Sequence, residues 1–199
     1  DGNVFAHRFA DYWRDVGTLQ SYWEANMEQL EDVPGLNLYD PDWRIHTRSE
    51  ERPPTKIMDG SHVSRALLSN GCIVIRGEVY HSVLSPGVIV HEGAIVRDSI
   101  IMTDTVIGPG AVIDRCIIDK AVTIGAGAQL GVGDDYAPNW LEPSRLNTGL
   151  TIVGRGASVP AKVTAGRNVL VAPDVDETAF ESLEIVSGET IDPNVPIWS

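Results

Sequence analysis

Val90-His91-Glu92-Gly93-Ala94, Ile107-Gly108-Pro109-Gly110-Ala111 and Ile124-Gly125-Ala126-Gly127-Ala128 are three starts of one 17-residue unit. Six residues after the first two starts stand Val96 and Ile113, and Val79 stands 17 residues before Val96. These open a second shared phrase: Val79-Tyr80-His81-Ser82-Val83-Leu84, Val96-Arg97-Asp98-Ser99-Ile100-Ile101 and Ile113-Asp114-Arg115-Cys116-Ile117-Ile118. A fixed period of this length means stacked coils, each burying its aliphatic row only against its neighbours. Spacings of six, six and five residues per coil fit a triangular parallel β-helix with one shortened side. Glycines at the second and fourth places of the unit serve tight corners, where a side chain would clash or φ must be positive. A mainly β stack of this kind serves assembly and attachment more often than catalysis, so the chemistry is sought elsewhere in the chain.

The repeats begin near Val63-Ser64-Arg65-Ala66-Leu67-Leu68 and run to Gln129. Residues 131–149 break the period as a loop, and the pattern returns at Val153-Gly154-Arg155-Gly156-Ala157, Val159 and Ala165. The tail from Asp174 holds one short helical stretch and a strand-like end. It is expected to cap the stack, whose open end would offer unpaired backbone. The β-helix is thus assigned to residues 59–199. Upstream, residues 1–30 read as a strand at Val4–Phe9, a turn at Asp15-Val16-Gly17-Thr18 and a helix. Thr18 is the N-cap, and Leu19, Tyr22, Trp23, Asn26, Met27 and Leu30 share one face. Residues 31–58 carry Pro34, Pro41, Pro53 and Pro54 without a period and read as an extended connector. The chain opens at Asp1, without methionine and inside an apparent strand, as expected of a piece of a longer protein.

With 199 residues, 43% apolar and 22% charged, the composition is that of a soluble globular protein. No apolar run approaches the ~20 residues of a membrane span, and no signal peptide is visible. A net charge of −13 excludes nucleic acid or an anionic membrane as the main partner. Cys116 takes the slot that Ser99 and Ser82 hold one and two coils earlier, a place for a small residue. Cys72 and Cys116 read as buried thiols of a reducing, cytoplasmic compartment. His62, His81 and His91 lie in or near the coils, but His81 and His91 fall where other coils have Arg, Asp or Gly, which marks solvent-facing slots rather than a general base.

The most specific short motif is Tyr12-Trp13-Arg14-Asp15-Val16-Gly17-Thr18. A carboxylate beside a glycine that allows close backbone approach suits a magnesium–phosphate site; taken alone, an Asp before Val-Gly-Thr is more often a turn residue than a metal ligand. The motif, followed by Tyr22-Trp23-Glu24-Ala25-Asn26-Met27, resembles the end of the catalytic domain of bacterial glucose-1-phosphate adenylyltransferases (ADP-glucose pyrophosphorylases). Leu36-Asn37-Leu38-Tyr39-Asp40, Pro53-Pro54-Thr55-Lys56, Ser69-Asn70-Gly71-Cys72, Asp98-Ser99-Ile100-Ile101-Met102 and Ile117-Ile118-Asp119-Lys120 extend the resemblance over essentially the whole chain.

The resemblance implies a left-handed β-helix of hexapeptide type, preceded by a strand-helix remnant of an α/β nucleotidyltransferase domain. It implies an enzyme that joins ATP and glucose 1-phosphate into ADP-glucose and pyrophosphate for glycogen synthesis, with Mg2+ held by two aspartates. Asp15 matches the second aspartate, as metal ligand and catalytic residue; the first, the nucleotide loop and the sugar-phosphate lysine belong upstream, so the present chain is expected to be inactive alone. It further implies a cytoplasmic homotetramer regulated by anionic metabolites such as sugar phosphates, AMP or phosphate. Lys120 and Arg155 match basic effector residues, and Arg48 lies in the connector that also lines the effector site. The residues choosing the nucleotide lie upstream, so another base or sugar, a non-catalytic regulatory relative and an acyl-transferring β-helix stay open.

Overall fold

The computed structural model describes residues 2–47 and 50–194. From Lys56–Ile57 to Thr190–Ile191 the chain winds through short parallel strands stacked into three faces. The reason lies in three inward aliphatic rows. One runs Val74, Val90, Ile107, Ile124, Val159. The second runs Val79, Val96, Ile113, Leu130, Ala165, Ile185. The third runs Leu84, Ile101, Ile118, Val153, Val171. All but Ile185 in these rows are at most 1% exposed. Each such Val, Ile or Leu contributes about 1.5–3 kcal/mol by leaving water, and none can do so without the coil above or below.

The period is 16 residues at the start, Val63 to Val79 and Val74 to Val90, and then 17, Val79 to Val96 to Ile113 to Leu130. Ile118 pairs with Val153, a step of 35 residues (153 − 118), so the loop at 131–149 is an insertion that leaves the register intact. The first rung, Lys56–Ile57, pairs with Ile73–Val74 and lies in the stretch read as connector. In the tail, a short 3-10 turn at Glu177–Ala179 and rungs at Glu184–Ile185 and Thr190–Ile191 prolong the stack, with Val175, Ala179 and Phe180 packed on its core.

The corners show why certain residues stand there. Ser82 Oγ accepts the Ser99 N–H at 3.1 Å and Ser99 Oγ accepts the Cys116 N–H at 3.0 Å, so one buried slot is filled by three small side chains in succession. The two glycine places divide the two expected causes between them. The fourth-place Gly93, Gly110 and Gly127 have φ of 70°, 67° and 68°. At the second place φ is ordinary, but a side chain would strike the next coil: a Cβ on Gly108 would lie 2.5 Å from the Ile124 carbonyl oxygen, and one on Gly125 2.6 Å from the Pro160 carbonyl carbon.

Helix α1 (Leu19–Glu28) has the expected cap: Thr18 Oγ1 accepts the Ser21 N–H and Ser21 Oγ accepts the Thr18 N–H, both at 3.1 Å. Its apolar face, with Leu19, Tyr22, Trp23, Met27 and the following Leu30, covers an outward row on the third face, Ile100, Ile117 and Ile152. No helix among the described residues is long and apolar enough to cross a membrane. One expectation fails. Val4–Phe9 forms no strand; Val4, Phe5 and Phe9 are 96%, 87% and 57% exposed. A strand exists only against a neighbour's backbone, and among the described residues nothing pairs with this segment.

Candidate functional site: a basic corner and a docked helix

Turns between the third face and the first place a residue of each coil at one corner: Asn70, Pro86, Thr103, Lys120 and Arg155. Their carbonyls accept from the next coil in succession, Asn70 from Gly87, Pro86 from Asp104, Thr103 from Ala121, Lys120 from Gly156 and Arg155 from Asp174, at 2.7–3.1 Å. The insertion brings the two expected effector residues, Lys120 and Arg155, to equivalent positions of adjacent coils. Both side chains are exposed, and among the described residues neither joins an ion pair. Asp119 Oδ1 accepts the Lys120 N–H at 2.7 Å and fixes that turn.

The connector descends on the same corner. Pro53 O accepts the Gly71 N–H at 2.6 Å, and Thr55 Oγ1 donates to Ser69 O at 2.7 Å. Arg52 crosses Gly71 and Gly87 to reach the Asp104 carboxylate with both terminal nitrogens, at 2.5 and 3.0 Å, and also binds Glu50. The Arg52 guanidinium holds the Asp104 carboxyl below the usual aspartate range, and the two carboxylates push Arg52 up. Arg48, the third expected effector residue, lies outside the described residues.

Asp15 stands elsewhere, in the turn that enters α1. It is exposed, and its Oδ1 accepts the Gly17 N–H at 3.0 Å. Among the described residues no group of three or more His, Cys, Asp or Glu side chains is arranged to hold a metal. Asp15 thus stands as a single carboxylate, one donor rather than a metal site, with one oxygen taken by its own turn.

Three features were not foreseen. A groove of about 780 Å³ lies between the start of α1 (Val16 to Gln20) and the loop end (Glu142 to Thr148), floored by Ile152 and Leu170. The doubled aliphatics Ile152-Val153 and Leu170-Val171 were its signal: the first of each pair points outward and the second into the core. Second, the loop is clamped by buried polar side chains. Asn168 Nδ2 donates to Tyr136 O and Ala137 O at 3.1 and 2.9 Å, and its Oδ1 accepts the Gly149 N–H at 2.7 Å. Arg167 pairs with Asp114 at 3.0 Å and donates to Gly133 O at 3.2 Å. Third, Arg115 stacks over the Trp23 ring of α1 at 4.4 Å. His81 Nδ1 is engaged by Asp98 Oδ1 at 2.7 Å. Cys72 and Cys116 are free and buried, and burial pushes the thiol pKa of both up, which leaves them unreactive.

Residues 53–153 match the family model described as "GlmU-like, C-terminal hexapeptide". The chain is 67% identical over 197 residues to a glucose-1-phosphate adenylyltransferase of Thermomicrobium roseum, covering 98% of this chain and 46% of that one. It is 41% identical over 189 residues to the protein of that name in Acetivibrio thermocellus, covering 95% and 44%. With that of Dechloromonas aromatica it shares 44% over 144 residues, covering 65% and 33%. The chain thus spans a little under half the length of the first two relatives.

Proposed function

The chain belongs to the GlmU-like, C-terminal hexapeptide family, and from that premise we propose that it is the C-terminal part of a glucose-1-phosphate adenylyltransferase. The full protein makes ADP-glucose and pyrophosphate from ATP and glucose 1-phosphate and serves glycogen synthesis in the cytoplasm. The observation that carries this reading is the 67% identity over 98% of the chain to a protein of that name. The β-helix is left-handed and supplies oligomer contacts, in a homotetramer, and part of an effector site. The 199-residue chain is inactive alone.

Each named residue then has a task. Asp15 would offer one carboxylate to a magnesium ion, whose charge would stabilise the transferring phosphate. The Gly17 N–H holds that carboxylate in place. Lys120 and Arg155, adjacent and in no ion pair among the described residues, bind an anionic metabolite, with Arg48 joining from the connector; two cations converging on one phosphate give strong charge-assisted hydrogen bonds. The exposed Val4, Phe5, Phe9, Trp13, Tyr39 and Trp43 pack against the upstream catalytic domain, where Val4–Phe9 finds its strand partner.

Pyrophosphate release by the full-length protein tests the reading, with Mg2+, glucose 1-phosphate and either ATP, GTP or UTP. ATP-dependent turnover that is absent from the 199-residue chain is expected. Turnover with GTP or UTP instead moves the assignment to another nucleotidyltransferase. No turnover with any nucleotide, even with phosphate, AMP and a sugar bisphosphate present, overturns it in favour of a non-catalytic regulatory protein. Binding of acyl-coenzyme A would mark an acyltransferase.

A further inference from the structure

Arg115 holds three parts of the chain at one point. Its guanidinium carbon lies 4.4 Å from the Trp23 ring centroid. Nη2 donates to Gln20 Oε1 at 3.3 Å, and Nε and Nη2 both donate to the Thr148 carbonyl, at 3.3 and 3.2 Å. Trp23 returns to the solenoid by donating its Nε1–H to the Asp98 carbonyl at 2.7 Å. Solenoid, helix α1 and the end of the 131–149 loop are therefore fastened to one side chain.

The backbone is shaped for the purpose. Arg115 has φ of 53°, and the same slot holds Asp98 at 50° one coil earlier and His81 at 45° two coils earlier. A left-handed conformation costs a side-chain-bearing residue about 1–2 kcal/mol. The corner needs that φ, yet the chain spends a bulky side chain there, and in this coil that side chain reaches α1. A lysine cannot replace it. The planar guanidinium stacks on an indole face while donating in its own plane to two acceptors, and an ammonium does only one of these well.

Helix α1 is capped by Thr18, three residues after Asp15, and the Asp15 turn runs into that cap without a flexible spacer. The N-terminal half of the helix, where Gln20 and Trp23 lie, is the half that Arg115 grips. We propose that Arg115 is a positioning residue: by fixing α1 against the solenoid and the loop it sets where the Asp15 carboxylate stands. The claim rests on the function proposed above. A displacement of about 1 Å at a reacting site costs up to ~100-fold in rate, so the fastening acts on turnover rather than on substrate affinity.

The test compares full-length Arg115→Ala, Arg115→Lys and Trp23→Phe with the unchanged protein. Arg115→Ala is expected to lower kcat about 10- to 100-fold with KM for ATP and glucose 1-phosphate within about twofold. Arg115→Lys does not rescue it. Trp23→Phe, which keeps a ring to stack on, loses less. Hydrogen exchange of the α1 amides is read on the same proteins and is expected to accelerate in Arg115→Ala but not in a control, Arg145→Ala. An unchanged kcat, or full rescue by lysine, overturns the proposal. Accelerated exchange in a full-length protein without any turnover would sink the adenylyltransferase reading yet leave the fastening standing; unchanged exchange would sink the fastening itself.

Discussion

Lys120 and Arg155 are one rung apart although 35 residues (155 − 120) separate them, because the Gly156 N–H donates to the Lys120 carbonyl across adjacent coils at 2.9 Å. Neighbouring rungs lie about 4.8 Å apart, so two like charges leave the same corner side by side. The aspartates at this corner do not relieve them in the same way. Asp104, a rung below, is occupied by Arg52; Asp174, a rung above, lies over Gly156 and joins no ion pair among the described residues.

An anion would settle that repulsion. In the full-length protein, Lys120→Ala and Arg155→Ala are expected to shift or abolish the response to phosphate, AMP or a sugar bisphosphate while basal turnover stays nearly intact. Initial rates with each metabolite check this. Collapse of basal turnover in a still-folded variant would remove the pair from the effector site.

The Arg52–Asp104 pair makes stability depend on pH at the acid side. Asp104 has its pKa lowered by Arg52, and Glu92 is lowered likewise by Arg76. A carboxylate depressed in the folded state adds stability above its unfolded pKa, near 4, and that stability is lost as pH falls through the folded value. Denaturant midpoints for wild type and Asp104→Asn are therefore expected to differ at pH 6 and to converge in acid, once pH falls below the lowered folded value of Asp104. A gap that persists in acid would deny the ion pair its role. Both carboxylates are exposed, so added salt should narrow the gap as well.

The periodic part of the fold was legible because a solenoid writes the same contact into the sequence every turn: Val79, Val96 and Ile113 announce one row by spacing alone. The α1 cap was equally local, since Thr18 and Ser21 bond each other within one turn. What could not be read depends on non-repeating partners. Arg115 looks like any solvated corner residue until Trp23, 92 positions earlier (115 − 23), is seen beneath it. Val4–Phe9 reads as a strand, but pairing belongs to two segments and the described residues hold only one. Lys120 and Arg155 were singled out by resemblance; that they share a corner follows from the insertion leaving the register unbroken.

The two glycine places should respond differently to alanine. Gly110 has φ of 67° but open space around its Cβ position, so Gly110→Ala should cost only the left-handed strain of about 1–2 kcal/mol. Lys162, at φ 63° in the equivalent place of a later coil, shows that a side chain fits there. Gly125 has ordinary φ, but its Cβ would meet the backbone of Pro160 and Ala161. Rigid backbone cannot move aside as a side chain can, so Gly125→Ala should cost more, at least the ~1–3 kcal/mol of an overpacked core. Equal losses in urea unfolding would refute the distinction.

The clamp on the insertion loop predicts a local failure. Asn168 serves Tyr136 O, Ala137 O and the Gly149 N–H from a fully buried position. Asn168→Ala leaves all three without their partner, at roughly 1–3 kcal/mol for the buried Gly149 N–H and less for the two part-buried carbonyls. The loss should appear first as proteolytic cleavage within 131–149 and only at higher denaturant as unfolding of the coils, whose rows do not pass through the loop. Simultaneous loss of both would mean that loop and solenoid form one cooperative unit.

Asp15 carries the sharpest test, because its turn and its proposed chemistry use different atoms. Oδ1 accepts the Gly17 N–H at 3.0 Å, an acceptor that an asparagine carbonyl reproduces, so Asp15→Asn should leave the turn, the Thr18 cap and α1 in place. What it removes is the negative charge. If that charge holds magnesium beside the transferring phosphate, the full-length variant should lose at least about 100-fold in kcat, as when one preorganised electrostatic contact to a transition state is deleted, with unfolding midpoint and α1 hydrogen exchange unchanged. Raising Mg2+ should recover only part of the rate, since the remaining ligands would hold the ion in altered geometry. Turnover equal to wild type would reduce Asp15 to a turn residue and send the search for the metal ligands wholly upstream.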